Sequence, residues 1–337
     1  MTLNDSDLIL VTGATGLVGS HFAEQMRKRG YRVRALVRKP SQCTDLVSWG
    51  VDLVEGDMTN RDSLLRASNG VTVVVHCAAK VGDWGPTEAY RSVNVDGLRD
   101  LLEAVEAQTT LKRFVHVSSL GVYPARDHYG TDEFEPVSTT GIDGYTLTKV
   151  EAENLVREHI RERQLPAVVL RPGFIYGPRD QTIIPKVLAR LKSGGFKFLG
   201  TGQQLLNNTY VGNLVEAIFL AIEKDDVVGE VFNITDDRLV SRREFIGTLC
   251  DNAGIPVPNK SVPLPVAKTL ANLMEGLYRL LGKQEAPLLS SARIKFLGLN
   301  LDYSIDKARR ILGYTPSTDF TDAMRTTVSW CRDVGLL

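Results

Sequence analysis

Short, largely apolar runs recur through the first half of the chain. They lie at 8–12 ("LILVT"), 31–37 ("YRVRALV"), 51–57 ("VDLVEGD"), 71–79 ("VTVVVHCAA"), 112–119 ("KRFVHVSS") and 167–172 ("AVVLRP"). Stretches with apolar residues at helical spacing separate most of them, notably 17–29, 86–106 and 145–163. Short apolar strands alternating with amphipathic helices predict a parallel sheet covered on both faces. The pattern changes after Pro172. A turn-rich "FIYGPRDQ" is followed by two helical stretches, "TIIPKVLARLKSG" and "NLVEAIFLAIEK", and a further strand, "EVFNIT". A helix over 266–281 and a final amphipathic helix come last. The expected architecture is α/β: a doubly wound parallel sheet with a smaller C-terminal lobe. Residues 1–178 would form the sheet domain, with 209–235 returning to it. Residues 179–208 and 236–337 would mainly build the lobe.

Composition narrows the function classes. The chain has 337 residues and 43% hydrophobic content, enough for a large core. Forty basic residues balance forty acidic ones, and no charge run points to nucleic acid. The N-terminus lacks the basic and apolar regions of a secretory signal, and no apolar run is long enough to span a bilayer. Cys43, Cys77, Cys250 and Cys331 are far apart, without metal or redox spacing, so a reducing cytoplasm is the expected location and no metal site is expected.

The first strand ends in "VTGATGLVGSH", which places Gly13, Gly16 and Gly19 between strand and helix. A tight turn there aims backbone amides, and the positive end of a helix, at a pyrophosphate. Gly13 would permit the turn, Gly16 close backbone approach, and Gly19 helix packing, as in a Rossmann sheet. Thr15, Leu17 and Val18 complete the phosphate-facing loop. A carboxylate for a ribose 2′-hydroxyl is expected about 20 residues on. The second strand instead ends in Val37, Arg38 and Lys39. Two cations suit a 2′-phosphate, which favours NADP(H) and leaves NAD(H) as the other candidate. Asp57 and Met58 end the third strand near the adenine. Ala78, Ala79 and Lys80 end the fourth, where small residues allow close approach of the cofactor.

Tyr145 and Lys149 stand four residues apart at the start of a helix, just after a strand that ends in Ser118 and Ser119. Spacing alone decides nothing: such pairs are neighbours on any helix surface, and Tyr303 and Lys307 repeat it. Context separates them, because the fifth strand's carboxyl edge is where open α/β sheets bind ligands. Tyr303 instead precedes "SIDKARR", which reads as a capped helix start far from a sheet edge.

The order "TGATGLVG", "GDM", "HCAA", "NVDG", "VSSLGVY", "YTLTK", "RPGFIYGP" resembles the extended short-chain dehydrogenase/reductases. "LLNNTYVGNLVEAI" and "YSIDKARRILGYTP" carry the resemblance nearly to the end. It implies that Tyr145 is the general acid/base. Lys149 would lower its pKa and hold the nicotinamide ribose. Ser119 would bond the substrate oxygen, and Asn94 would support the site. Ser118 would border the cofactor, and Pro172, Gly173, Phe174 and Ile175 would receive the nicotinamide. A homodimer through the helices near 86–106 and 145–163 is also implied.

Nucleotide-sugar members of this family carry an arginine in a "Q-x-R-D-F-x-Y-V-D-D" motif. The matching stretch here is "QLLNNTYVGNL", with Leu206 at the arginine position. Lys192, Lys197 and Arg293 are the cations that could replace it. The stretch resembles "F-T-Y-V-x-N" of the 3β-hydroxysteroid dehydrogenase and sterol-decarboxylating group, with Asn208 in place of an aromatic. It also resembles the 3-keto reductase of bacterial long-chain olefin synthesis, and "HCAAKVGDWG", with Trp84, and the "KARRILGY" tail are similar to the same group. The expected activity is NAD(P)-dependent interconversion of hydroxyl and ketone on a hydrophobic 3-hydroxy or 3-keto substrate. The alternatives are a nucleotide-sugar epimerase or dehydratase, and a non-catalytic dinucleotide sensor. The 266–281 helix has apolar residues at 266, 270, 273, 274, 277, 280 and 281. Three readings stand open: packing on the lobe's own core, a lid over an apolar pocket, and peripheral membrane contact.

Overall fold

The computed structural model describes residues 2–281, 287 and 289–337. Seven strands form one sheet: β1 (Leu8–Thr12), β2 (Arg32–Val37), β3 (Asp52–Glu55), β4 (Val73–His76), β5 (Arg113–Val117), β6 (Ala167–Pro172) and β7 (Val231–Ile234). Their order is β3-β2-β1-β4-β5-β6-β7 and every pairing is parallel. The six apolar runs became strands, and "EVFNIT" supplies the seventh, at the edge. Strand order reverses between β1 and β4, which opens a crevice at their carboxyl ends.

The longer helices are α1 (Leu17–Lys28), α2 (Arg61–Ser68), α3 (Gly97–Glu106), α4 (Gly144–Arg163), α5 (Ile184–Lys192), α6 (Val211–Glu223), α7 (Arg242–Ala253), α8 (Leu264–Leu280), α9 (Ser291–Gly298) and α10 (Phe320–Asp333). β1 shows why its run is unbroken. Ile9 and Val11 enter a core with Phe22 and Met26 of α1 and Leu214 and Ile218 of α6. Leu8 and Leu10 enter a second core with Leu64 of α2, Leu98 and Leu102 of α3, and Leu155 and Val156 of α4. Both faces are covered, so no position on the strand can be polar without a partner.

The helix expected over 86–106 is interrupted. Thr87–Arg91 is α-helical, Ser92–Asp96 widens into a π-turn, and α3 continues from there. Such wide turns recur at functional sites, and this one contains Asn94.

α5, α7 and α10 build a separate lobe core around Tyr176, Phe198, Leu206, Val240, Phe245 and Phe320. The tail also reaches back to the sheet. Ile305, Ala308, Leu312 and Tyr314 are buried in the α1/α6 core. The short strand Leu301–Tyr303 pairs with His128–Thr131. Tyr303 is therefore nearer the sheet than its sequence context suggested. It stacks on Tyr123 with ring centroids 5.3 Å apart, and that phenol bonds Asn233 of β7. Lys307 turns away to Glu230 at 2.7 Å, so the pair does not act together.

α8 packs on the lobe, but by a side other than its apolar stripe. Its buried side is Ala267 and Ala271, set against Leu199 and Ile294. Val266, Leu270, Leu273, Leu277, Leu280 and Leu281 are exposed, Leu280 by 82%. The alanines let α8 lie close to its neighbours, which turns the leucines outward. Among the described residues no helix is long and apolar enough to cross a membrane.

Candidate active site

The three glycines do three separate jobs. Gly13 has φ +71°, and a Cβ there would sit 2.7 Å from the Ala78 amide nitrogen. The first loop therefore presses on the end of β4. A Cβ on Gly19 would sit 2.3 Å from the Gly13 carbonyl oxygen, so α1 packs directly on the loop. A Cβ on Gly16 would meet only that same oxygen, at 3.3 Å. Gly16 is the N-cap of α1, no side chain caps this end, and its first turn holds no acid. Thr15 and Gly16 are exposed, and Leu17 and Val18 are half-buried beside them. Free helix amides, an open approach and no competing negative charge fit a dinucleotide's pyrophosphate.

Arg38 and Lys39 are exposed at the carboxyl end of β2. Arg38 acts on Asp57 across the ends of β2 and β3. Burial would raise the Asp57 carboxyl, but two bonds from Thr59 (2.9 and 2.8 Å) and the Arg38 charge outweigh it and hold it below the usual range. Met58 is buried, and a Cβ on Gly97 would lie 2.4 Å from its carbonyl oxygen. The glycine of "NVDG" thus lets α3 begin against β3. Ala78 and Ala79 are half-buried after β4, and Lys80 is exposed. Asn94 grips the Lys80 backbone at both ends: its Oδ1 accepts from the amide at 2.7 Å and its Nδ2 donates to the carbonyl at 3.1 Å. Nδ2 also donates to Thr148 of α4 at 3.0 Å. Asn94 therefore joins the β4 loop to the helix that bears Tyr145.

A capping box fixes the start of α4. Asp143 accepts from the Thr146 amide at 2.7 Å, and Thr146 Oγ1 accepts from the Asp143 amide at 3.1 Å. This places Tyr145 in the first turn. Ser119 stands beside the Tyr145 phenol, close enough to act on its ionisation, and its Oγ accepts from the Gly121 amide at 3.0 Å. The expected Ser119–Tyr145 pair is thus brought together. Burial pushes the phenol up to about 12, against the lowering effect of Ser119. At neutral pH it carries its proton and can donate it to an oxygen set between the two hydroxyls.

Lys149 departs from expectation in one respect. Its ammonium donates to the Val117 carbonyl at 2.8 Å and is not among the groups that shift Tyr145. Burial brings Lys149 down to about 8, with Cys77 and Glu153 opposing. The expected lowering of the phenol by Lys149 is absent from this geometry because the amine is held at the end of β5. Ser118 also departs. Its amide donates to Leu170 at 2.7 Å and its hydroxyl to Glu153 at 2.8 Å, so both donors are committed inside the protein. The turn after Pro172 is similar: the Gly173 amide donates to Ile234 and Thr209, and the Phe174 amide to Asn207. Ile175 pairs with Thr209 in a short parallel ladder. This turn offers a ring its surface rather than the Gly173 and Phe174 amides.

Sequence reasoning missed the layer beneath these residues. Glu153 and Arg171 form a buried ion pair, and Arg171 Nη1 donates to the Tyr123 hydroxyl at 2.7 Å. The available signal was spacing: Glu153 lies one turn beyond Lys149 and two beyond Tyr145, on one helix face.

On the lobe side, Leu206 is buried in the lobe core. Asn208, the departure from the motif's aromatic, donates to Asp236 at 3.0 Å. Of the candidate replacement cations, Lys192 bonds the Leu336 carbonyl and Arg293 pairs with Asp83, while Lys197 is exposed. Arg242, also missed, is buried beside the short strand Leu205–Leu206 and donates to the Leu205 carbonyl at 3.1 Å.

Known proteins match this arrangement along its whole length. A 3-beta-hydroxysteroid dehydrogenase of Mycolicibacterium neoaurum is 32% identical over 98% of this chain and 93% of its own. A decarboxylating sterol-4-alpha-carboxylate 3-dehydrogenase of Candida albicans is 32% identical over 96% of this chain and 97% of its own. A 2-alkyl-3-oxoalkanoate reductase of Shewanella oneidensis is 28% identical over 94% and 84%. The solved structure of gox2253 superposes with a TM-score of 0.83 at 30% identity, covering 99% of this chain and 100% of that one. A UDP-glucuronic acid 4-epimerase of Bacillus cereus in complex with NAD shares the fold, with a TM-score of 0.77 at 22% identity over 97% and 99% of the two chains. Residues 9–235 match the model of the NAD dependent epimerase/dehydratase family. With its glycine loop, seven-stranded sheet and Ser119–Tyr145 pair in place, the chain is an extended short-chain oxidoreductase that belongs to that NAD-dependent epimerase/dehydratase family.

Proposed function

We propose that this enzyme interconverts a hydroxyl and a ketone at a 3-position of a hydrophobic, steroid-like or long-chain substrate, with NADP(H) preferred. The observation that carries the substrate class is Leu206. A nucleotide sugar needs its pyrophosphate neutralised, and the position of the usual arginine is an apolar side chain packed into the lobe. The names of the relatives support the same reading, since each of the three acts on a 3-hydroxy or 3-oxo compound. A nicotinamide dinucleotide on the glycine loop would supply or accept the hydride. The chain's own part is to hold the substrate oxygen between Ser119 and Tyr145 and move one proton there. The high phenol pKa suits donation to a carbonyl oxygen as it gains negative charge.

The nucleotide-sugar reading is kept alive by Arg242, a buried cation one strand from Leu206. A panel decides between them. We expect 3-keto steroids or long-chain 3-keto compounds to be reduced with NADPH, followed by absorbance, and UDP- and dTDP-sugars to give no calorimetric binding at micromolar concentration. Tight binding of a nucleotide sugar, with epimerisation and no net cofactor oxidation, would transfer the protein to the second class.

The preference for NADPH rests on Arg38 and Lys39, exposed where a ribose-binding acid would stand. Arg38→Ala is expected to weaken NADPH by ~1–3 kcal/mol through loss of a charge-assisted bond, with little change for NADH. Nicotinamide fluorescence titrations measure both. Equal affinities for the two cofactors in the unaltered enzyme would refute the preference.

A further inference from the structure

Below Tyr145, α4 presents two charged side chains to consecutive residues at the end of β5. Lys149 donates to the Val117 carbonyl at 2.8 Å, and Glu153 accepts from the Ser118 hydroxyl at 2.8 Å. Glu153 is 1% exposed and also accepts from Arg171 Nε at 3.0 Å and from Nη2. Arg171 lies at the end of β6, next to Pro172, and Tyr123 OH passes the chain on to Asn233 of β7 at 2.9 Å. One carboxylate thus ties together α4 and the carboxyl ends of β5 and β6.

The other titratable groups facing Lys149 are neutral. His76 of β4 is brought down to about 3 by burial and Lys149, and His116 of β5 is lowered by burial, Lys149 and His76. Burial pushes Cys77 up to about 12. Tyr145, on the same helix, is protonated at neutral pH. Among the described residues acting on Lys149, Glu153 alone brings a standing negative charge. A buried ammonium without a counter-charge sheds its proton.

We propose that Glu153 is a positioning residue of this site. Its carboxylate, one helical turn behind Lys149 and anchored by Ser118 and Arg171, keeps the amine charged while it pins the ends of β5 and β6. A neutral Lys149 could not donate all three of its protons to the Val117 carbonyl and to ligand oxygens, so Glu153 would set the upper pH limit of the site. This builds on Tyr145 and Lys149 as the reacting pair. The test reads Lys149 directly, so its failure is distinct from failure of the substrate assignment.

The full-length protein is labelled at lysine 13Cε and titrated by NMR, with the Lys149 signal assigned by its loss in Lys149→Ala. We expect Lys149 to titrate near 8 in the unaltered protein and about one pH unit or more lower in Glu153→Gln, which keeps the acceptor for Ser118 but not the charge. Glu153→Asp should restore most of the difference. If Glu153→Gln does not fold, Glu153→Gln combined with Arg171→Gln removes the stranded guanidinium. The shift is expected in the same direction but smaller, because a positive charge leaves together with the negative one. A folded variant of either kind whose Lys149 titrates as in the unaltered protein would overturn the proposal and leave Glu153 a purely structural ion-pair partner.

Discussion

Tyr145→Phe is expected to lose roughly 10²–10⁴-fold in turnover, the range that one positioned acid/base contributes, while dinucleotide affinity stays within a factor of about two. The phenol is the group beside Ser119 at the head of α4 that carries a proton it can give up near an incoming oxygen. Removing the hydroxyl leaves the ring, the Asp143–Thr146 cap and the glycine loop in place. A loss in kcat with unchanged cofactor titration is therefore the signature. Tyr303→Phe is the control: that phenol stacks between Tyr123 and His128, and its partner lysine is engaged by Glu230. Full activity in Tyr145→Phe on any substrate that the unaltered enzyme turns over would end the assignment.

Gly19→Ala is expected to damage both cofactor binding and stability. The added Cβ meets the Gly13 carbonyl oxygen at 2.3 Å, with the Gly13 carbonyl carbon and Ala14 Cα also under 3 Å. These are backbone atoms on both sides, so no rotamer change relieves the clash and α1 must lift from the loop. Overpacking of this kind costs about 1–3 kcal/mol. Since the amides at the head of α1 would move with the helix, we expect at least tenfold weaker dinucleotide binding, about 1.4 kcal/mol. Gly247→Ala is the matched control. It lies within α7 with nothing inside 4 Å of the new Cβ, and alanine should be neutral or stabilising there. Thermal melts and fluorescence titration read both effects. A Gly19→Ala protein with unchanged affinity would mean that α1 does not present its amides to the cofactor.

Much of this was legible in the residues. Unbroken runs such as "LILVT" and "VVVH" announce strands buried on two faces, and glycine spacing places the turn after β1. The place of Tyr145 followed from a helix start just after a strand end, and its pairing with Ser119 was implied by the family resemblance. What stayed hidden was direction and partnership. Ser118 and Ser119 are adjacent, and only the pleat decides that one hydroxyl turns in to Glu153 while the other meets Tyr145. The apolar stripe of α8 had the right period for burial. The choice of buried side was made by Ala267 and Ala271, whose small side chains allow the closer approach. Nothing in the sequence singles out Arg242 or Arg171, because their burial depends on carbonyls and carboxylates distant along the chain.

The last strand of the sheet and the tail that packs on it have a consequence for biosynthesis. β6 cannot gain its outer neighbour until residue 234 has emerged, and the α1/α6 core is not closed until Tyr314 arrives, fully buried with its hydroxyl on the Thr235 carbonyl at 3.0 Å. Contacts between the first and last thirds of a chain form slowly and leave sheet edges open while they wait. The nucleotide-binding half should therefore stay incomplete on the ribosome through most of translation. A truncation just after β7, although it would retain every strand of the sheet, should expose part of that core and aggregate rather than fold.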